Sequence, residues 1–191
     1  MNTPVSLLQR IQKRPDDQSA WRRLVDLYQP FIRSWLVRDP SLREQVEDLT
    51  ADVLHALVKA LPRFERQRDG SFRRWLRTVT LNLVKTHFRV VSAHPEAVDA
   101  AGSWLAGLED PAAPLSREWD REHDQYVLKR LLELVAGDFD AQTFRAFELH
   151  GREGRPADEV AAVLGMTVAA VFSAKARVLR RLRDEAAGLV G

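Results

Sequence analysis

The chain has 191 residues, enough for one large or two small domains with their own cores, and its formal net charge is only +2. It contains no cysteine, which excludes disulfides and thiolate metal sites and suits a reducing compartment. The opening MNTPVSLLQRIQKR lacks the long apolar core of a signal peptide, and no apolar run approaches a membrane span, so a soluble, cytoplasmic protein without membrane contact is expected.

Trp21, Leu24, Val25, Tyr28, Phe31, Ile32, Trp35 and Leu36 recur at helical spacing and predict a strongly amphipathic helix, with Ser19 or Asp17 as its cap. Pro30 is expected to kink or divide it. The aromatic stripe reads as core rather than as a stacking platform for bases, because large apolar residues at this spacing are usually buried. A second helix follows Asp39-Pro40 over EQVEDLTADVLHALVKALPRF, burying Val46, Leu49, Val53, Leu57, Ala60 and Leu61 and closed by Pro62. Its outer face carries Glu47, Asp48 and Asp52. Asp52 and His55 stand at i, i+3 like half of a di-iron bundle site, but such a site needs a companion helix that the sequence does not offer.

A loop, ERQRDG, with the turn signal Asp69-Gly70, precedes a third helix, FRRWLRTVTLNLVKTHFRVV, which Ser71 is expected to cap. Phe72, Trp75, Leu76, Val79 and Leu83 form its expected core stripe, while Arg73, Arg74, Arg77, Lys85 and Arg89 project elsewhere. From Arg63 to Arg89 eight Lys/Arg residues stand against Glu65 and Asp69, a net of +6. Basic and aromatic residues interleaved in this way suit single-strand binding, with a merely solvated face as the alternative. From Ser92 to Ser116 periodicity disappears and Ala, Gly, Pro and acids dominate, which predicts a linker on which Trp104 and Leu105 dock locally. From Pro95 to Asp124 eight acids stand against Arg117 and Arg121, a net of −6, so an acidic connector separates two basic blocks.

Periodicity returns with Trp119, Tyr126, Val127, Leu131 and Leu134 on a fourth long helix ended by Gly137, and Asp140 is placed to cap a short helix bearing Phe144 and Phe147. The stretch GRPADEVAAVLGMTVAAVFSAKARVLRRLR then reads as a helix-turn-helix. Pro156 suits the first turn, Gly165 the left-handed stop, and Thr167 the cap of the second helix. Val168, Val171, Val178 and Leu182 are its expected buried side, which leaves Ser173, Ala176 and Arg177 exposed together and Arg180 one turn further on. Lys175, Arg177, Arg180, Arg181 and Arg183 give five positive charges with no acid among them. Arg177 is the candidate base reader, since arginine can hydrogen-bond guanine twice, and Arg181 and Arg183 are the candidate phosphate contacts. A surface hairpin solvated by its basic residues is the competing explanation. No stretch reads as a strand, so the class is all-α: two small helical domains, 1–91 and 117–191, joined by a flexible linker, 92–116.

Together these stretches resemble the bacterial RNA polymerase sigma factors of the sigma-70 superfamily, specifically the compact extracytoplasmic-function (ECF) subfamily. In that resemblance EDLTADVLHALVKALPRF corresponds to the region-two helix that docks on polymerase, and GSFRRWLRTVTLNLVKTHFR to the helix that melts and reads the −10 element. FRAFELHGREGRPADEVAAVLGMTVAAVFSAKARVLRRLR corresponds to region four, the reader of the −35 element. The resemblance implies that Glu47, Asp48 and Asp52 face core RNA polymerase. It implies that Phe64, the loop to Phe72, and Asn82 form a pocket for an unstacked promoter base, with Phe72 and Trp75 as core. It implies that Phe172, Ser173, Ala176 and Arg177 lie along the groove-facing side of the reading helix. Promoter DNA and core polymerase are then the partners, with an anti-sigma factor as a further one.

The subfamily commonly has a basic residue where Phe172 stands, another where Ala174 stands, and Leu where Lys175 stands. The usual basic pair is missing or moved, so no promoter sequence carries over. The segment AGDFDAQTFRAFELHGREG also lacks the Pro-rich opening common in the subfamily. No nucleophile with a nearby base, phosphate-cradling Gly loop or metal-ligand set is visible, so the expected function is binding, with no enzymatic activity, cofactor or metal. A polymerase-independent helix-turn-helix regulator would need a dimerisation surface and a palindromic site. An enzyme acting through Glu47, Asp52 and His55 and a purely structural helical adaptor complete the alternatives, the last disfavoured by the segregated basic blocks.

Overall fold

Helix ends follow local chemistry closely. Asp17 accepts the Ala20 N–H at 3.0 Å and starts α2 (Gln18–Leu36) after the short α1 (Leu7–Lys13). Asp140 accepts the Thr143 N–H at 2.7 Å and starts α7 (Ala141–Ala146). Thr167 accepts the Ala170 N–H at 3.1 Å and starts α9 (Val168–Ala186). Gly165 ends α8 (Ala157–Leu164) at φ 61°, in the left-handed region where a Cβ would be strained. The computed structural model describes residues 6–65, 71–91 and 95–190, and these form nine α-helices and no strand. The remaining helices are α3 (Val46–Ala60), α4 (Ser71–Val91), α5 (Pro95–Glu109) and α6 (Pro114–Ala136). The chain divides into two compact units, the larger holding Leu7–Val127 and the smaller Leu128–Ala187.

In the larger unit Leu24, Tyr28, Phe31, Ile32, Trp35 and Leu36 of α2 are buried with Leu49, Val53 and Leu57 of α3. Each such side chain contributes about 1.5–3 kcal/mol when taken from water. Pro30 neither divides α2 nor ends it. Ala60 is exposed rather than buried, and Thr50 takes a core position by donating its hydroxyl to the Val46 carbonyl at 2.6 Å. The buried positions of α4 are Phe72, Leu76, Arg77, Thr80, Leu81, Val84 and Phe88, whereas Trp75, Val79 and Leu83 are half-buried. This differs from the predicted stripe because α4 packs against α3 and also against α5. Ser71 is the first residue of α4 rather than its cap.

The linker expected over 92–116 is helical through most of its described length. Its Ala, Leu and Glu residues favour a helix, and each internal glycine costs only about 1 kcal/mol. At Gly107 a Cβ would come within 3.2 Å of the Leu115 side chain, so the glycine permits that close approach. Pro114 opens α6 in the first turn, where its missing N–H costs nothing. The buried Ser116 hydroxyl lies 3.0 and 2.9 Å from the Gly107 and Leu108 carbonyls, satisfying the end of α5. Trp119 packs edge-on against Phe31 at 5.0 Å and beside Trp35 at 4.9 Å. The change from one unit to the other therefore falls inside α6, between Val127 and Leu128, not in 92–116. Residues 92–94 of the expected linker lie outside the described residues.

In the smaller unit Ala146, Leu149, Val160, Ala161, Val171 and Ala174 form the core of the helix-turn-helix. A π-helical turn, Phe147–Arg152, joins α7 to the approach of α8. Gly151 is required there, since a Cβ would meet the Phe147 ring at 2.8 Å. Val168 is exposed rather than buried, because α8 packs on the Val171 and Ala174 side of α9 and the Val168 row turns away.

Candidate polymerase and nucleic-acid surfaces

The α3 carboxylates stand on an exposed face, opposite the buried row of Val46, Leu49, Val53 and Leu57. Glu47 is engaged by Arg33 at 2.6 Å, an exposed pair of small energetic weight. Asp48 and Asp52 are exposed on the same helix.

The basic side of α4 divides into two kinds of residue. Arg77 is 3% exposed, and its guanidinium donates to the Asp120 carboxylate at 2.6 Å and to the Ser116 carbonyl at 3.1 Å. Burial lowers its pKa, opposed by the Asp120 charge. Arg73 reaches Asp120 at 3.5 Å and also pairs with Asp124. Burial would raise the Asp124 carboxyl, but the hydrogen bond with His123 and the Arg73 charge hold it below its ordinary value. These two arginines, expected on a strand-binding surface, instead hold α6 against α4, because their acidic partners return to them from 43 and 51 residues away. Lys85 is half-buried and paired with Glu109 at 2.6 Å.

His123 completes this buried junction. Its Nδ1 lies 3.0 Å from Asp124 and its Nε2 3.3 Å from the Tyr28 hydroxyl, with the two rings stacked at 5.8 Å. Burial lowers the His123 pKa against the pull of Asp124, so the ring is neutral at pH 7, donating to the carboxylate and accepting from Tyr28. No sequence signal identified Asp120, His123 and Asp124 as partners, since the residues they meet, Arg73, Arg77 and Tyr28, lie far away in the chain.

Phe64 lies edge-on to Phe72 at 5.6 Å and beside Trp75 at 5.1 Å, and its carbonyl accepts the Gln12 side chain at 2.6 Å. With Arg63, Ser71, Arg74, Trp75 and Thr78 it lines a cavity of about 560 Å³. Phe72 is core, as expected, while Trp75 is half-buried and forms part of the cavity wall. Asn82 is not among the residues lining this cavity. It borders a second one of about 150 Å³ with Lys85, Leu108 and Glu109, and Arg74 and Thr78 border both. The loop residues 66–70, expected to complete the pocket, lie outside the described residues.

On α9, Phe172, Ser173, Ala176, Arg177, Arg180 and Arg183 are exposed. Arg177 donates to the Thr143 hydroxyl at 3.1 Å, and Thr143 in turn is held by Asp140, whose pKa is lowered chiefly by the Thr143 N–H. Arg181, expected at a phosphate, is instead half-buried between Asp138 and Glu185, each 2.8 Å away. Burial would lower its pKa, but the two carboxylates raise it. The ring of Phe172 meets His150 edge-on at 5.1 Å, and His150 Nδ1 is fixed by the Arg155 carbonyl at 2.8 Å. Among the described residues no group of three or more acids and histidines could hold a metal ion.

Residues 24–92 match the family model of sigma-70 region 2. Over 173 residues the chain is 25% identical to a probable RNA polymerase sigma factor, RfaY, of Xanthomonas campestris pv. campestris. Over residues 24–92 the chain is similar to the sigma-70 family. That alignment covers 88% of this chain but only 40% of the relative's length. The region 2 match runs from the middle of α2 through α4, so it includes Glu47, Asp48 and Asp52, the Phe64 cavity, Asn82 and every α4 arginine. The helix-turn-helix lies outside the matched region. No single described helix is long and apolar enough to cross a membrane.

Proposed function

We propose that this chain is a sigma factor of the ECF type, which binds core RNA polymerase and directs promoter-specific initiation. The observation that carries the reading is the region 2 match over 24–92, joined to an exposed helix-turn-helix face later in the same chain. In this proposal Asp48 and Asp52 contact polymerase, with Glu47 released from Arg33 on docking. Phe64, Arg74 and Asn82 attend the displaced −10 strand, whose unstacked bases suit aromatic walls and nearby cations. Arg73, Arg77 and Lys85 support that surface through their ion pairs with α5 and α6. Phe172, Ser173, Ala176 and Arg177 face the −35 major groove, and Arg180 and Arg183 reach phosphates. The protein acts in the cytoplasm by binding, without a catalytic step.

Core-polymerase capture tests this directly. Asp48→Lys should reduce capture at least tenfold while helicity by circular dichroism stays unchanged, because Asp48 is exposed opposite the buried row of α3. Undiminished capture would remove α3 from the docking surface. The competing reading, a helix-turn-helix regulator independent of polymerase, would show dimeric binding to palindromic DNA with no polymerase present.

A further inference from the structure

The first half of α9 presents an apolar surface. Val168, Phe172 and Ala176 form one i, i+4, i+8 row, with Ala169, Ser173 and Arg177 beside it. Val168 is 43% exposed and Phe172 53% exposed, although both are large apolar residues. Among the described residues the cations nearest this end are half-buried or hydrogen-bonded within the chain. Lys175 is half-buried, with its Cγ 3.7 Å from where a Cβ on Gly151 would sit, so its stem lies against the turn before α8. Arg177 is tied to Thr143, and the exposed Arg180 and Arg183 come later. The Phe172 ring is meanwhile fixed in direction by His150, itself anchored to the Arg155 carbonyl.

In a helix-turn-helix the N-terminal residues of the second helix meet base edges. An apolar side chain there cannot hydrogen-bond guanine, but it can pack on the one apolar group of the major groove, the thymine 5-methyl. From this juxtaposition, and resting on the proposed promoter-binding role, we infer that α9 selects the upstream promoter element by contact of Phe172 with a thymine methyl group. Arg180 and Arg183, further along the exposed side, supply the charge complementarity that brings this surface to DNA rather than to an apolar partner. His150 is a positioning residue, since it touches the ring and not the base.

The test uses the 191-residue chain assembled with core RNA polymerase and a promoter duplex randomised upstream. Wild type should enrich thymine at one position. Phe172→Ala should lose that preference, Phe172→Leu should retain part of it, and Phe172→Arg should move it to guanine. Replacing the selected thymine by uracil removes only the methyl group. It should weaken wild-type binding about fourfold, the equivalent of the ~0.8 kcal/mol of one buried methyl, and leave Phe172→Ala unaffected. Equal binding of thymine and uracil by wild type, or a thymine preference that survives in Phe172→Ala, overturns the inference while leaving promoter recognition intact. Reduced polymerase capture by Phe172→Ala with its base preference unchanged would assign this face to polymerase and also overturn it. If wild type enriches no sequence at all, the promoter-binding role and the inference fall together.

Discussion

Replacing Asp120 with alanine should destabilise the larger unit by about 2–3 kcal/mol. Arg77 is 3% exposed and its guanidinium has two acceptors, the Asp120 carboxylate at 2.6 Å and the Ser116 carbonyl at 3.1 Å. Without Asp120 a buried cation keeps one neutral acceptor, and breaking a fully buried pair in this way costs about 3–5 kcal/mol. The Asp120 side chain is itself 28% exposed, so water can enter the space it leaves and reduce the loss. Arg73 loses one acceptor but retains Asp124. Urea unfolding followed by tryptophan fluorescence isolates the effect, because all five tryptophans (Trp21, Trp35, Trp75, Trp104 and Trp119) lie within the larger unit. With a slope of about 1–3 kcal/mol per M, the midpoint should fall by about 0.7–3 M. The double substitution Arg77→Met with Asp120→Leu should recover most of the loss, since it removes both charges together. A loss below about 1 kcal/mol, or no recovery in the double variant, would show that the pair does not fasten α6 to α4.

The same unit should lose stability as pH falls from about 7 toward 5. His123 has a lowered folded pKa, so below its unfolded value near 6.5 the unfolded chain takes up a proton that the folded chain refuses, at up to about 1.4 kcal/mol per pH unit. The carboxylates with lowered values, Asp17, Asp124 and Asp140, exert their effect only at more acid pH. His123→Gln should flatten the slope between pH 7 and 5 in urea titrations, and an unchanged slope would rule out this ring as its source. Gly151→Ala should cost the smaller unit about 1–3 kcal/mol through the 2.8 Å approach to Phe147, measured as a lowered midpoint by circular dichroism; a neutral effect would mean the turn relaxes freely.

What the sequence makes legible is what local chemistry decides. Asp17, Asp140, Thr167 and Gly165 announce helix ends because each acts within three or four residues of itself. The α2 stripe is legible because eight large apolar residues share one face. The α4 stripe is harder to read, because a helix covered from two sides has no single apolar face, and its buried set includes Arg77 and Thr80. Arg73 and Arg77 look like free cations until Asp120 and Asp124 come back to them from more than 40 residues away. The helix α5 and the opening of α6 are obscured by composition, since Ala, Gly and Pro suit a tether equally well and the deciding contact, Gly107 on Leu115, is tertiary. On α9 the basic residues draw attention, yet the exposed row at its start is apolar and Arg181 is held by Asp138 and Glu185.

Run-off transcription with purified core polymerase on genomic fragments tests the central claim most directly. Adding the 191-residue chain should produce discrete transcripts absent with core alone, with start sites that share an upstream and a downstream element. The Asp48→Lys variant should abolish those transcripts without loss of fold. Transcripts no different from those of core polymerase alone, with the chain folded and present in excess, would contradict the account.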